Sequence, residues 1–92
     1  MRAILRYPLI DLTYRQTLSI PTGFKPRHVA PGRAPDVAID LWVEADLTNQ
    51  PVPVDILIVG TGHQLPVGDY VGTVVMPDEF VWHVFIGVGN AR

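Results

Sequence analysis

Ninety-two residues provide for one domain with one core, placed here over residues 1–92, because so short a chain has no material left for a second core. Apolar residues make up 48%, charged ones 17%, and the mean hydropathy is +0.24, which excludes the highly charged, weakly apolar composition of a disordered segment. Cysteine is absent, so disulfides, thiolate nucleophiles and cysteine-based zinc sites are excluded, and packing or neighbouring subunits must hold the fold. No run approaches the roughly 18 apolar residues of a membrane-spanning helix. Met1–Ile10 also carries Arg2 and Arg6 where a secretory signal needs apolar residues. The expectation is a chain that neither spans a membrane nor is exported.

The predicted elements follow in chain order. Arg2, Ile4 and Arg6 alternate with Ala3, Leu5 and Tyr7, and the period of two reads as a strand; Leu18-Ser19-Ile20 reads the same way. From Pro21 to Pro35 the chain is rich in proline and glycine and holds at most a brief edge strand around Arg27 to Val29. Asp36–Gln50 is the longest stretch free of both residues. Val37, Ile39, Leu41, Val43 and Ala45 share one parity there, and Asp36, Asp40, Glu44 and Asp46 the other, which predicts a strand with one wet face. Val54–Val59 is nearly continuous aliphatic, as in a strand covered on both faces, and belongs mid-sheet. Tyr70–Met76 and Phe80–Val88 are predicted to pair antiparallel through a turn at Pro77-Asp78-Glu79. About six short strands with no helical crossover predict an all-β fold, a small antiparallel sandwich or barrel.

Charge is divided along the chain. Before Asp36, Arg2, Arg6, Arg15, Lys25, Arg27 and Arg33 face only Asp11; afterwards eight carboxylates face only Arg92. Either the halves interleave their charges within the fold, or they form a dipolar surface suited to head-to-tail contact. Trp42 shares the parity of Asp40 and Glu44, so its indole leaves the wet face as an interface anchor, unless a loop or the proline-rich segment covers it. Trp42, Asp40, Glu44, Arg27 and Arg33 are the interface candidates. Trp82 is expected in the core with Phe80, Val84 and Ile86.

Gly60-Thr61-Gly62-His63 follows the aliphatic strand and forms a candidate anion- or ligand-binding loop, or else a structural loop whose glycines take positive φ. The third glycine and the helix of a dinucleotide site are missing. His28, His63 and His83 are spaced unlike a compact metal motif, so no metal and no cofactor is expected. His83 is expected as a hydrogen-bonded group in or beside the core, His28 as solvent-facing. One serine, Ser19, and one lysine, Lys25, offer little for covalent catalysis. Asp40 and Glu44 stand about 13 Å apart along a strand, too far for a coupled acid/base pair. No enzymatic activity is expected. The basic loop at Lys25, Arg27, His28 and Arg33 has only Phe24 as a stacking partner and the protein is acidic overall, which argues against nucleic acid as the partner.

The succession Gly60-Thr61-Gly62-His63, Tyr70-Val71-Gly72-Thr73 and Phe80-Val81-Trp82-His83-Val84-Phe85, with Arg6-Tyr7-Pro8-Leu9 and Gln16-Thr17-Leu18-Ser19-Ile20-Pro21 before it, resembles a family of small phage-encoded proteins of unknown function. The resemblance spans most of the chain and implies a phage origin. It brings no catalytic or binding residues with it. Six arginines against one lysine and seven aspartates against two glutamates fit a GC-rich actinobacterial host. The chain opens at Met1 and carries no tag, as expected of protein from a natural particle. The expected role is an oligomeric virion component, a capsid-decoration or minor-capsid subunit that contacts copies of itself and a major capsid protein. The alternative is a counter-defence or host-takeover protein in the host cytoplasm, which blocks a host protein or sequesters a nucleotide-type signal.

Overall fold

Alternation of apolar and polar residues places seven strands in two antiparallel sheets in a computed structural model that describes residues 1–87. The strands are β1 (Arg2–Leu9), β2 (Arg15–Pro21), β3 (Lys25–Pro31), β4 (Ile39–Asp46), β5 (Pro51–Gly60), β6 (Gly68–Val75) and β7 (Val81–Gly87). One sheet has the order β1-β4-β3, the other β2-β5-β7-β6. They pack as a sandwich and do not close into a barrel. Val88, expected in the last strand, and Arg92 lie outside the described residues. Among the described residues no helix is long and apolar enough to cross a membrane.

The core lies where the inward parities of the sheets meet. Leu9 from β1, Ile20 from β2, Ile39, Leu41 and Val43 from β4, Val54 and Ile56 from β5, and Val84 and Ile86 from β7 have no solvent exposure. The aliphatic strand sits inside its sheet as expected, between β2 and β7, with Ile56 through Val59 all buried. Trp82 packs against this core, but Phe80, expected beside it, lies in the β6–β7 turn and is 65% exposed.

Proline placement follows hydrogen-bond supply. Pro51 and Pro53 of β5 face β2 on one side, and the β7 ladder begins only at Ile56, so neither proline is asked for a second set of bonds. β3 is longer than the sequence predicts. It runs the whole of Lys25–Pro31 despite Pro26 and Pro31, because it is an edge strand that needs only β4, and a bulge between Pro26 and His28 absorbs the irregularity. It brings the strands among the described residues to seven, against the six that the sequence predicts.

On one side of the sandwich β3 runs close to β6. Gly72 permits that approach, since a Cβ there would come within 2.7 Å of Val29 Cγ2. The β6–β7 turn forms as expected. Met76 N–H donates to the Phe80 carbonyl and Glu79 N–H to the Met76 carbonyl, both at 2.9 Å, with Glu79 in the left-handed region at φ 73°. Glycine takes that conformation without the Cβ clash. Glu79→Gly is therefore expected to stabilise the fold by about 0.5–1 kcal/mol, read as a higher midpoint in urea with unchanged slope.

Candidate functional site

Two surfaces hold the residues that the sequence singled out, one on the outer face of each sheet. On the three-stranded sheet, the register sets Arg6 beside Trp42 and Trp42 beside His28, while Lys25 lies opposite Glu44. The alternation of β4 predicts Asp40, Trp42 and Glu44 on a wet face. Glu44 and Trp42 are partly exposed, but Asp40 has no solvent exposure, which corrects that reading. Arg6 Nη1 donates to Asp40 Oδ1 at 2.9 Å, and the Arg33 backbone N–H donates to Oδ2 at 3.2 Å, with Arg33 Nε 3.5 Å from the same oxygen. The β3–β4 loop thus closes over the carboxylate. Burial of a charge is tolerated because both oxygens are partnered.

Glu44 is bracketed in the same way. Arg2 Nε donates to Oε2 at 2.8 Å from β1, and Arg27 donates to Oε1 through both Nε and Nη2 from β3. These bonds hold the carboxyl at about 2, against an ordinary 4.5. Asp46 receives Thr48 and the terminal ammonium, which also lowers its pKa. With Arg15–Asp55, these ion pairs all join the basic part of the chain before Asp36 to the acidic part after it. Charge interleaving within the fold is what the structure contains. Trp42 is half-buried, with the His28 ring 5.7 Å away and the Arg33 guanidinium 6.0 Å from its centroid, so the proline-rich segment partly covers it.

The outer face of the four-stranded sheet carries an apolar cluster beside the Arg15–Asp55 ion pair. Leu57, Val59 and Phe85 form a second buried cluster there, separate from the main core. Register explains it: Leu57 pairs with Phe85 and Phe85 with Tyr70 across β5, β7 and β6. The Gly60–His63 segment turns back over this face. His63 N–H donates to the Gly60 carbonyl at 3.2 Å, and Gly62 has φ 89°, a conformation only glycine adopts at little cost. Beneath the turn lies a pocket of about 370 Å³ lined chiefly by Val59, Leu65, Phe85, Tyr70, His63 and His83.

His83 is anchored at both ring nitrogens. Nε2 meets Thr61 Oγ1 and Nδ1 meets Thr73 Oγ1, each at 2.9 Å, and Thr73 Oγ1 in turn meets the Tyr70 hydroxyl. The chain of hydrogen bonds pins the loop to β6 and β7. His83 therefore stands on the outer face and not in the main core. His63 and His83 share one pocket, while His28 lies on the other sheet. Among the described residues no three metal-ligating side chains form a group. None of the residues lining the pocket is arginine or lysine, so it suits an apolar or aromatic group better than a phosphate. The sequence pointed to the Gly60–His63 loop. It missed Thr73, Tyr70 and Phe85 as its partners, which the odd parity of β5 and β7 and the bulge of β6 between Tyr70 and Gly72 signal only once the register is known.

Residues 1–91 match the model of a family described as a domain of unknown function, DUF7352. No curated protein and no solved structure matches the chain.

Glu44, held low in the folded state, contributes stability above its ordinary pKa of 4.5 and loses it as pH falls toward about 2. Melting temperature should drop across that interval, and Glu44→Gln should flatten the drop while lowering stability at neutral pH. Asp40→Ala, which leaves Arg6 without its buried partner, should cost about 2–3 kcal/mol in chemical denaturation.

Proposed function

The chain belongs to DUF7352, and from that premise we propose that it is a non-enzymatic phage protein acting through protein–protein contacts, an oligomeric virion component of the capsid-decoration or minor-capsid type. The supporting observation is the outer face of the four-stranded sheet. Leu65, Val67, Tyr70, Val75 and Phe80 are exposed around the buried Leu57, Val59 and Phe85. Exposed apolar side chains of this kind are costly in water and gain from coverage by another protein. The ion pairs on the opposite sheet support the same assignment, because they satisfy charged groups within the chain and leave the apolar sheet as the surface that a partner would stabilise most.

The pocket beneath Gly60–His63 favours a second reading, a host-cytoplasmic counter-defence protein that blocks a host protein or retains a nucleotide-type signal. Its lining offers a phosphate no arginine or lysine, which weighs against the nucleotide form of that reading.

Mass spectrometry of gradient-purified phage particles tests the proposal. The expected result is this chain in a fixed, multiple-copy ratio to the major capsid protein. Its absence from the particles would overturn the virion reading and favour the intracellular one, for which His63→Ala should then abolish ligand retention.

A further inference from the structure

The two broad faces of the sandwich differ in chemistry, and they are complementary. On the three-stranded sheet, Arg2 and Arg27 share Glu44, and Arg6 and Arg33 share Asp40. Two guanidiniums bracket each carboxylate, so each group keeps a positive charge, and Lys25 adds another on β3. In their midst Ile4 is 58% exposed between Arg2 and Arg6. The four-stranded sheet presents the exposed apolar residues Leu65, Tyr70, Val75 and Phe80, with Asp78 and Glu79 in the adjoining β6–β7 turn and the Arg15–Asp55 ion pair on the side of β2.

We propose that the basic outer face of the three-stranded sheet of one copy seats on the apolar, acid-rimmed outer face of the four-stranded sheet of the next. The inference rests on the oligomeric reading above and specifies its geometry. Ile4 would meet the apolar surface around Leu65 and Phe80 while Arg2, Arg27 and Lys25 approach the carboxylates of the turn. Joining the three-stranded faces of two copies would instead set guanidiniums against guanidiniums, which opposes a twofold dimer through that face. The molecule measures 38 × 28 × 17 Å, so its broad faces have room for the roughly 800 Å² per partner that a stable interface buries. A contact between unlike faces repeats from copy to copy, so it closes into a ring or grows as a stack.

Sedimentation velocity on the full chain at low and high salt tests this. Wild type should assemble beyond a dimer with rising concentration and should weaken at high salt. Ile4→Glu or Lys25→Glu spoils the basic face, and Leu65→Lys or Val75→Lys spoils the apolar one; all four positions are exposed, and far-UV circular dichroism checks that each variant is folded. Each variant alone should be monomeric. A mixture of one basic-face and one apolar-face variant should give a one-to-one heterodimer that grows no further, because a single intact interface remains between them. A monomeric wild type, a wild type that stops at a dimer, variants that assemble normally, or a mixture that stays monomeric would overturn the inference. So would tight binding of a single-stranded oligonucleotide to the basic face in fluorescence anisotropy, since nucleic acid would then be its occupant. Failure here is separable from failure of the virion reading. A monomer in solution that is abundant in particles would leave that reading in place with a capsid protein as partner. A head-to-tail assembly absent from particles would do the reverse.

Discussion

Asp40 is a carboxylate with no solvent exposure, and its neutralisation by Arg6 and Arg33 ties together three separate parts of the chain. β1 supplies one guanidinium, the β3–β4 loop the other, and β4 carries the acid between them. An unpartnered charge at this depth would cost several kcal/mol, so the loop must close and β1 must sit in register. Glu44 repeats the arrangement two periods of the alternation further along, with Arg2 and Arg27 reaching in from both neighbouring strands. The outer face of the three-stranded sheet is thereby held together by charge.

The other sheet has the opposite character. Among the described residues its outer face holds one ion pair, Arg15–Asp55, and carries Leu57, Val59 and Phe85, buried partly by the returning Gly60–His63 turn. The bonds from His83 to Thr61 and Thr73 fix that turn against the sheet. The two broad faces therefore differ, one bearing internal ion pairs around Asp40 and Glu44 and the other exposing apolar side chains. This asymmetry, and not the pocket's polar groups, carries the functional argument.

Much of the architecture was legible from the residues. The aliphatic run at Val54–Val59 and the alternation of Ile39, Leu41 and Val43 each report local burial, and both strands lie where those patterns place them. β3 was only half legible. Proline normally signals a break, and only its position at a sheet edge, with a bulge at Pro26, makes a full strand compatible with it. Phe80 misled for a related reason: its parity matched Trp82, but it lies beyond the end of the β7 ladder, where parity no longer implies burial.

What the sequence alone determined was the all-β class, the inward parity of β4, the antiparallel final hairpin and the division of charge between the halves. These are properties of single segments, and side-chain alternation records them directly. Only the tertiary structure decided that Asp40 is buried, that Trp42 is flanked by His28 and Arg33, and that His63 and His83 share a pocket while His28 stands on the other sheet. Each of these depends on register between strands distant in sequence or on where a loop folds back. Periodicity within one strand carries no information about either, because pairing energy is set jointly by both partners.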